Sequence, residues 1–206
     1  MNKQKGLVIF FVFGFGSLAI AQAETNKKIH LTTGIGINKI QGSLGRVFRS
    51  TVAFNSGFEK DFSHNWFAQL EANFNTLKYD QQVKDENSNF LFQNTNSSLF
   101  MVGVNGGKNF PFGQSDWFGS LYLGTGYINI GEPRLALDEQ NNVITQDITR
   151  QGGILGRSGG RIGINTSSKI LHTIFLDGSY WISSLRTQGH QLNSISIFLG
   201  MRMAMN

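Results

Sequence analysis

The chain has no cysteine and only two prolines in 206 residues. Without cysteine there is no disulfide framework, and no thiol to carry a lipid anchor or help hold a metal. Two prolines beside 25 glycines and 18 phenylalanines do not suit a small secreted binding module. No segment beyond residue 23 is long and apolar enough for a transmembrane helix. No His/Asp/Glu cluster has metal-ligand spacing, so neither metal nor cofactor is expected. Gly152-Gly153 and Gly159-Gly160 lack the helix that a phosphate-cradling loop opens, and fit strand curvature or close packing.

The N-terminus supplies what the rest lacks. Met1-Asn2-Lys3-Gln4-Lys5 is followed by a charge-free stretch from Gly6 to Ile20, then by Ala21-Gln22-Ala23. A basic start, an apolar core and an A-x-A site identify residues 1–23 as a cleaved secretory signal. The remainder, 24–206, has the length of one domain. Lys3 and Lys5 leave with the signal, so the formal net charge falls from +5 to +3, and no nucleic-acid partner is expected.

The mature chain is a series of alternating strands. Ile29, Leu31, Thr33, Ile35 and Ile37 oppose His30, Thr32 and Asn38. Phe48, Val52, Phe54 and Phe58 oppose Arg49, Thr51, Asn55 and Glu59, and Trp66 to Phe74 oppose Gln69, Glu71 and Asn73. Four more strands follow at 98–109, 117–128, 152–165 and 170–183, and the eighth runs 194–205. Period-two patterning of this kind marks half-buried strands. Between them, 77–97 and 129–150 read as long polar loops, with Phe90 and Phe92 extending a strand out of the first. Segments 39–46 and 184–193 read as medium loops, and 61–65, 111–116 and 166–169 as short turns.

Connection length therefore alternates along the chain, as it does in outer-membrane barrels with short periplasmic turns and longer outer loops. Phe62, Trp66, Phe110, Phe112 and Trp117 gather at the short turns, where a periplasmic aromatic girdle belongs, and Phe48, Tyr79, Tyr127 and Tyr180 fall toward the opposite ends. The expected fold is all-β: one eight-stranded antiparallel up-and-down transmembrane β-barrel with both termini periplasmic. A soluble barrel with its apolar face inward would leave the charged face outside. In signal, strand count and loop rhythm the chain resembles the OmpA membrane domain and OmpX type of small outer-membrane barrel. It departs from them at its end, Met203-Ala204-Met205-Asn206, where they carry an aromatic. The resemblance implies a bacterial outer-membrane location and an interior ion network.

The lumen-facing candidates are Arg49, Glu59, Glu71, Arg157, Arg161, Asp177 and Arg202. An eight-stranded barrel is just wide enough inside for side chains to fill, and buried charges must be paired. Across the turn at 166–169, Arg157 falls near Asp177 or Ser179, which makes Arg157–Asp177 the sharpest expected pair. Glu59 and Arg202 flank the first strand, with His30 between them. No histidine lies in the His-x-Ser pattern of the lipid A deacylases; His172, expected to face outward beside a turn, has no neighbouring acid to orient it. These features favour a non-enzymatic barrel with a structural or surface-interaction role through its long outer loops. A narrow pore for ions or small solutes and a lipid-modifying enzyme are the alternatives. The expected partners are outer-membrane lipid, lipopolysaccharide and a protein bound through the loops.

Overall fold

The computed structural model describes residues 29–84, 90–138, 141, 143–168 and 170–205. Residues 1–23, expected to be the signal, lie outside these residues, as do Asp85, Glu86 and Lys169. Strand β1 (Ile29–Ile40) leads to a one-turn helix α1 (Leu44–Val47), a two-residue strand β2 (Phe48–Arg49) and β3 (Val52–Asp61). A 3-10 turn at Ser63–Asn65 precedes β4 (Trp66–Tyr79), followed by β5 (Thr95–Pro111) and β6 (Trp117–Asp138). Strands β7 (Val143–Asn165), β8 (Leu171–Thr187) and β9 (His190–Ala204) complete the wall. All pairings are antiparallel between neighbours, β9 pairs with β1, and β4 closes onto β5. Both β2 and β3 lie against β4, so they are two pieces of one stave and the barrel has eight.

The alternation dictates the orientation of the wall. Ile35, Phe54, Leu70, Val104, Leu123, Ile154, Leu176, Ile197 and Leu199 stand about half or more exposed on the outside. The residues between them on the same strands, such as Thr32, Gln69, Asn105, Ser179 and Ser196, are buried in the lumen. An outward apolar belt around a polar interior is the arrangement that lipid requires of a barrel. All-antiparallel closure also leaves no strand edge unpaired within the belt.

Two segments read as loops are largely paired strand instead, and a third, 77–97, is strand only at its two ends. The described residues of 129–150 form the outer half of the β6–β7 hairpin, paired as far as Asp138 opposite Val143. β-Branched Ile148 and Thr149 pair across to Pro133 and Glu132, so polarity there does not mark loss of strand. The run 184–193 closes as a tight turn at Gln188-Gly189, both with positive φ (48° and 78°), the hand that joins twisted strands in two residues. Within 77–97, β4 continues to Tyr79 and β5 begins at Thr95. No strand passes through Phe90 or Phe92, and Phe92 folds back onto the interior. The alternation of connection length thus becomes an alternation of how far the hairpins project.

The phase of Phe48 and Arg49 is inverted. Phe48 is buried and Arg49 points outward, where it bonds Asp80 at 2.6 Å. Pairing lapses at Ser50 and Thr51, and that irregularity turns the chain over between β2 and β3. Tyr79 is likewise inside, 5.2 Å ring to ring from Phe48, rather than in an outer aromatic girdle. Both join a cluster that fills the outer half of the lumen, together with Leu44 and Val47 of α1, Leu99, Ile128, Ile130, Trp181 and Leu192.

Candidate functional site

The inner half of the lumen, toward the short turns, holds a connected ion network. Arg161 is its centre. Its Nη1 donates to Glu59 Oε2 at 2.5 Å, its Nη2 to Gln69 Oε1 at 2.6 Å and its Nε to Asp177 Oδ2 at 2.9 Å. Arg157 sits one level higher, donating from Nη1 to Glu71, from Nε to Ser179 Oγ at 3.0 Å and from Nη2 to Asp177 Oδ1 at 3.3 Å. Arg202 donates to the other oxygen of Glu59 at 2.8 Å and to Asp61 at 3.4 Å. The structure therefore brings Glu59, Glu71, Arg157, Arg161, Asp177 and Arg202 into one cluster.

The strand register shows how they meet. Asp177 lies directly across from Arg161, and Arg157 lies across from Trp181. The innermost β7–β8 pair is Asn165 with Thr173, so the register is offset from the one a turn at 166–169 would set, and β8 carries a bulge against β9 between Leu171 and Thr173. Arg157 reaches Asp177 diagonally. The same bulge overturns the outward placing of His172: its ring sits edge-on to buried His30, 5.1 Å between centroids, at the inner mouth of the lumen.

Several members of the network escape sequence reasoning. Tyr122 donates its hydroxyl to Asp177 at 2.8 Å and lies beneath both guanidinium groups, 5.3 Å from Arg157 and 5.4 Å from Arg161. Phe67 and Phe175 also face Arg161, at 5.3 and 4.9 Å. Gln69 accepts from Asn105 at 3.1 Å and donates to Thr32 at 3.2 Å. The available signal was phase: Phe67, Tyr122 and Phe175 are aromatics on the polar faces of their strands, where cation–π contact and hydrogen bonding give a ring a reason to be. Glycines make the room. A Cβ on Gly159 would lie 2.5 Å from Tyr122 Cζ, and one on Gly200 2.5 Å from Phe175 Cε2.

Above this network the chemistry changes. Asn38 donates to Asn73 at 3.2 Å in a transition layer, and the apolar cluster begins above it. At the junction is a cavity of about 20 Å³, lined among others by Glu71, Arg157, Met101 and Trp181, with room for about one water. A second polar cluster caps the apolar layer. Glu132, fully buried, accepts from Tyr79 at 3.0 Å, from Arg134 at 3.0 Å and from Thr187. Gln188, in the β8–β9 turn, donates to Tyr79 at 3.0 Å and accepts from the Val83 amide at 2.9 Å. Glu132 was hidden in a segment read as loop.

Beyond the belt the β6–β7 hairpin continues. A membrane-spanning strand needs about 9–11 residues, whereas β6 has 22 and β7 has 23. Residues 145–150 of β7 are exposed.

No family model matches the chain, and no curated protein matches it. Among solved structures, it superposes on a major outer membrane protein from Thermus thermophilus with a TM-score of 0.57, at 8% identity, over 86% of this chain and 100% of that one. It is similar to Neisserial surface protein A with a TM-score of 0.50, at 12% identity, over 87% of this chain and 99% of that one. Identities this low bear on fold alone. The fold is that of the small eight-stranded outer-membrane β-barrels, the architecture that the strand and loop pattern predicts.

Proposed function

We propose that the protein is a non-enzymatic barrel of the bacterial outer membrane, exported by residues 1–23, whose role is structural or one of surface interaction through its outer hairpins. The observation that carries this reading is the filling of the lumen. The inner half is occupied by hydrogen-bonded charges and the outer half by an apolar cluster that includes α1. Conduction through such a lumen would require water to enter the apolar layer, so a pore is disfavoured. His172, packed on His30, is turned away from the lipid face on which a lipid-modifying enzyme would use it.

With the interior occupied, the remaining surface for specific contact is outside. The β6–β7 hairpin exposes Thr145, Gln146, Asp147, Ile148, Thr149 and Arg150, the mixed polar and apolar composition that surface loops on a rigid scaffold use to bind partners. Lys39, Lys78 and Arg186 point outward at the same end and suit the phosphates of lipopolysaccharide.

The test is a photo-cross-linking amino acid placed at Ile148 in intact cells, with one at lipid-facing Leu123 for comparison. The reading expects an adduct to a protein or to lipopolysaccharide at Ile148 and to lipid alone at Leu123. If Leu123 cross-links and Ile148 yields nothing, the hairpin is not a contact surface.

A further inference from the structure

The outward face of the belt is apolar or neutral over most of its height, and two lysines break it at the short-turn rim. Lys60 is on β3 and Lys108 on β5, with β4 between them. Lys60 lies across from Ala68 and Lys108 across from Trp66, so the two stems are two strands and two residues apart, roughly 12 Å at about 4.8 Å per strand and about 3.3 Å per residue. Between them stands Trp66, directly across from Lys108. The Lys60 ammonium lies 5.4 Å from the Phe62 ring, and that of Lys108 5.7 Å from Trp66 and 6.0 Å from Phe110.

Among the described residues neither ammonium has a carboxylate at ion-pair distance. Asp61, next to Lys60, is turned to His30 at 3.1 Å and Arg202 at 3.4 Å. Phe62, Trp66 and Phe110 are exposed, so the patch is open to whatever surrounds the barrel at this height. The aromatic rings set that height at the membrane–water interface, where an ammonium on a flexible stem reaches headgroups.

From this juxtaposition we propose that Lys60 and Lys108, bracketing Trp66, form a binding site for the phosphate of an anionic phospholipid headgroup in the periplasmic leaflet. The ammonium groups supply the charge-assisted hydrogen bonds. Trp66 supplies a flat amphipathic platform for the glycerol and upper acyl region, and Phe62 and Phe110 flank it. The occupant must be anionic, because a zwitterionic headgroup carries its own cation beside the phosphate. The site rests on the membrane placement given above.

The experiment is native mass spectrometry of the detergent-solubilised full chain with equal amounts of phosphatidylglycerol and phosphatidylcholine of the same acyl chains. A surface lysine contributes roughly fivefold in affinity for anionic lipid, so the wild type should retain phosphatidylglycerol several-fold over phosphatidylcholine. In K60Q/K108Q that preference should fall to near unity, while R46Q/K84Q, which removes two exposed cations at the opposite end that lie outside both proposed contact surfaces, should keep it. Heat-modifiable gel mobility verifies that each variant is folded. No preference in the wild type, or a preference unchanged in K60Q/K108Q, would overturn the site. An equal loss in both variants would also overturn it, as an effect of net charge alone. A chain that stayed monodisperse without detergent would instead overturn the membrane placement.

Discussion

The two halves of the lumen hold the same eight staves together by opposite means. Toward the short turns, Arg161 and Arg157 tie β3, β4, β7 and β8 through carboxylates that have almost no contact with water. Toward the outer hairpins, Phe48, Leu99, Ile130 and Trp181 fill the space by shape. An ion network specifies register, because each charge is costly unless its partner is at one level. An apolar cluster specifies volume and tolerates a change of partner. The contrast also assigns roles: the inner half fixes the closed wall, and the outer half seals it beneath the projecting hairpins.

The sharpest way to break the contrast is to delete one charge. Asp177→Ala leaves Arg157 and Arg161 without a shared anion and should cost about 3–5 kcal/mol in reversible unfolding from detergent or lipid. A loss under about 1 kcal/mol would show that the network does not hold the wall. Leu99→Ala in the outer half opens a cavity and should cost about 2–5 kcal/mol. Conservative exchange then separates the halves: Leu99→Met should cost under about 1.5 kcal/mol, whereas Asp177→Asn, nearly isosteric, should stay close to the alanine value because charge and not volume is lost. Comparable costs for the two exchanges would erase the distinction.

A smaller effect tests the packing beneath the network. Gly159→Ala pushes a methyl into Tyr122 and should cost about 1–3 kcal/mol, with altered Tyr122 fluorescence or ring chemical shifts as the local signature. The smallest effect belongs to Arg49, which bonds Asp80 on the outer surface. Arg49→Ala should change stability by at most about 1 kcal/mol. A cost near that of Asp177→Ala would mean that Arg49 belongs to the interior after all.

Much of the fold could be read from residue order because a barrel wall has one period. Ile35 and Ile37, Leu121 and Leu123, and Ile195, Ile197 and Leu199 recur at every second residue of their strands and mark the lipid face. The side of each network charge was legible for the same reason. Which charge meets which was not, since the β7–β8 register depends on where their connection ends, which has no sequence signature. Hairpin projection was also hidden: Glu132 and Thr149 are polar yet paired, and polarity alone does not separate an exposed strand from a loop. The apolar plug is not legible in residue order because Leu77, Leu99 and Ile128 fall at strand ends or in a loop by pattern, and Phe48 lies beyond the lapse at Ser50 and Thr51 that reverses its face.

Single-channel recording of the purified chain in a planar bilayer tests the central claim, a lumen filled in both halves, most directly. A lumen filled in both halves should give no steady conductance in the wild type, none when Arg157 and Arg161 are each replaced by Gln, none in Phe48→Ala combined with Leu99→Ala, and openings only when the two sets of replacements are combined. A steady wild-type conductance that the Arg157 and Arg161 replacements abolish would contradict it, and would make the ion network a path instead of a plug.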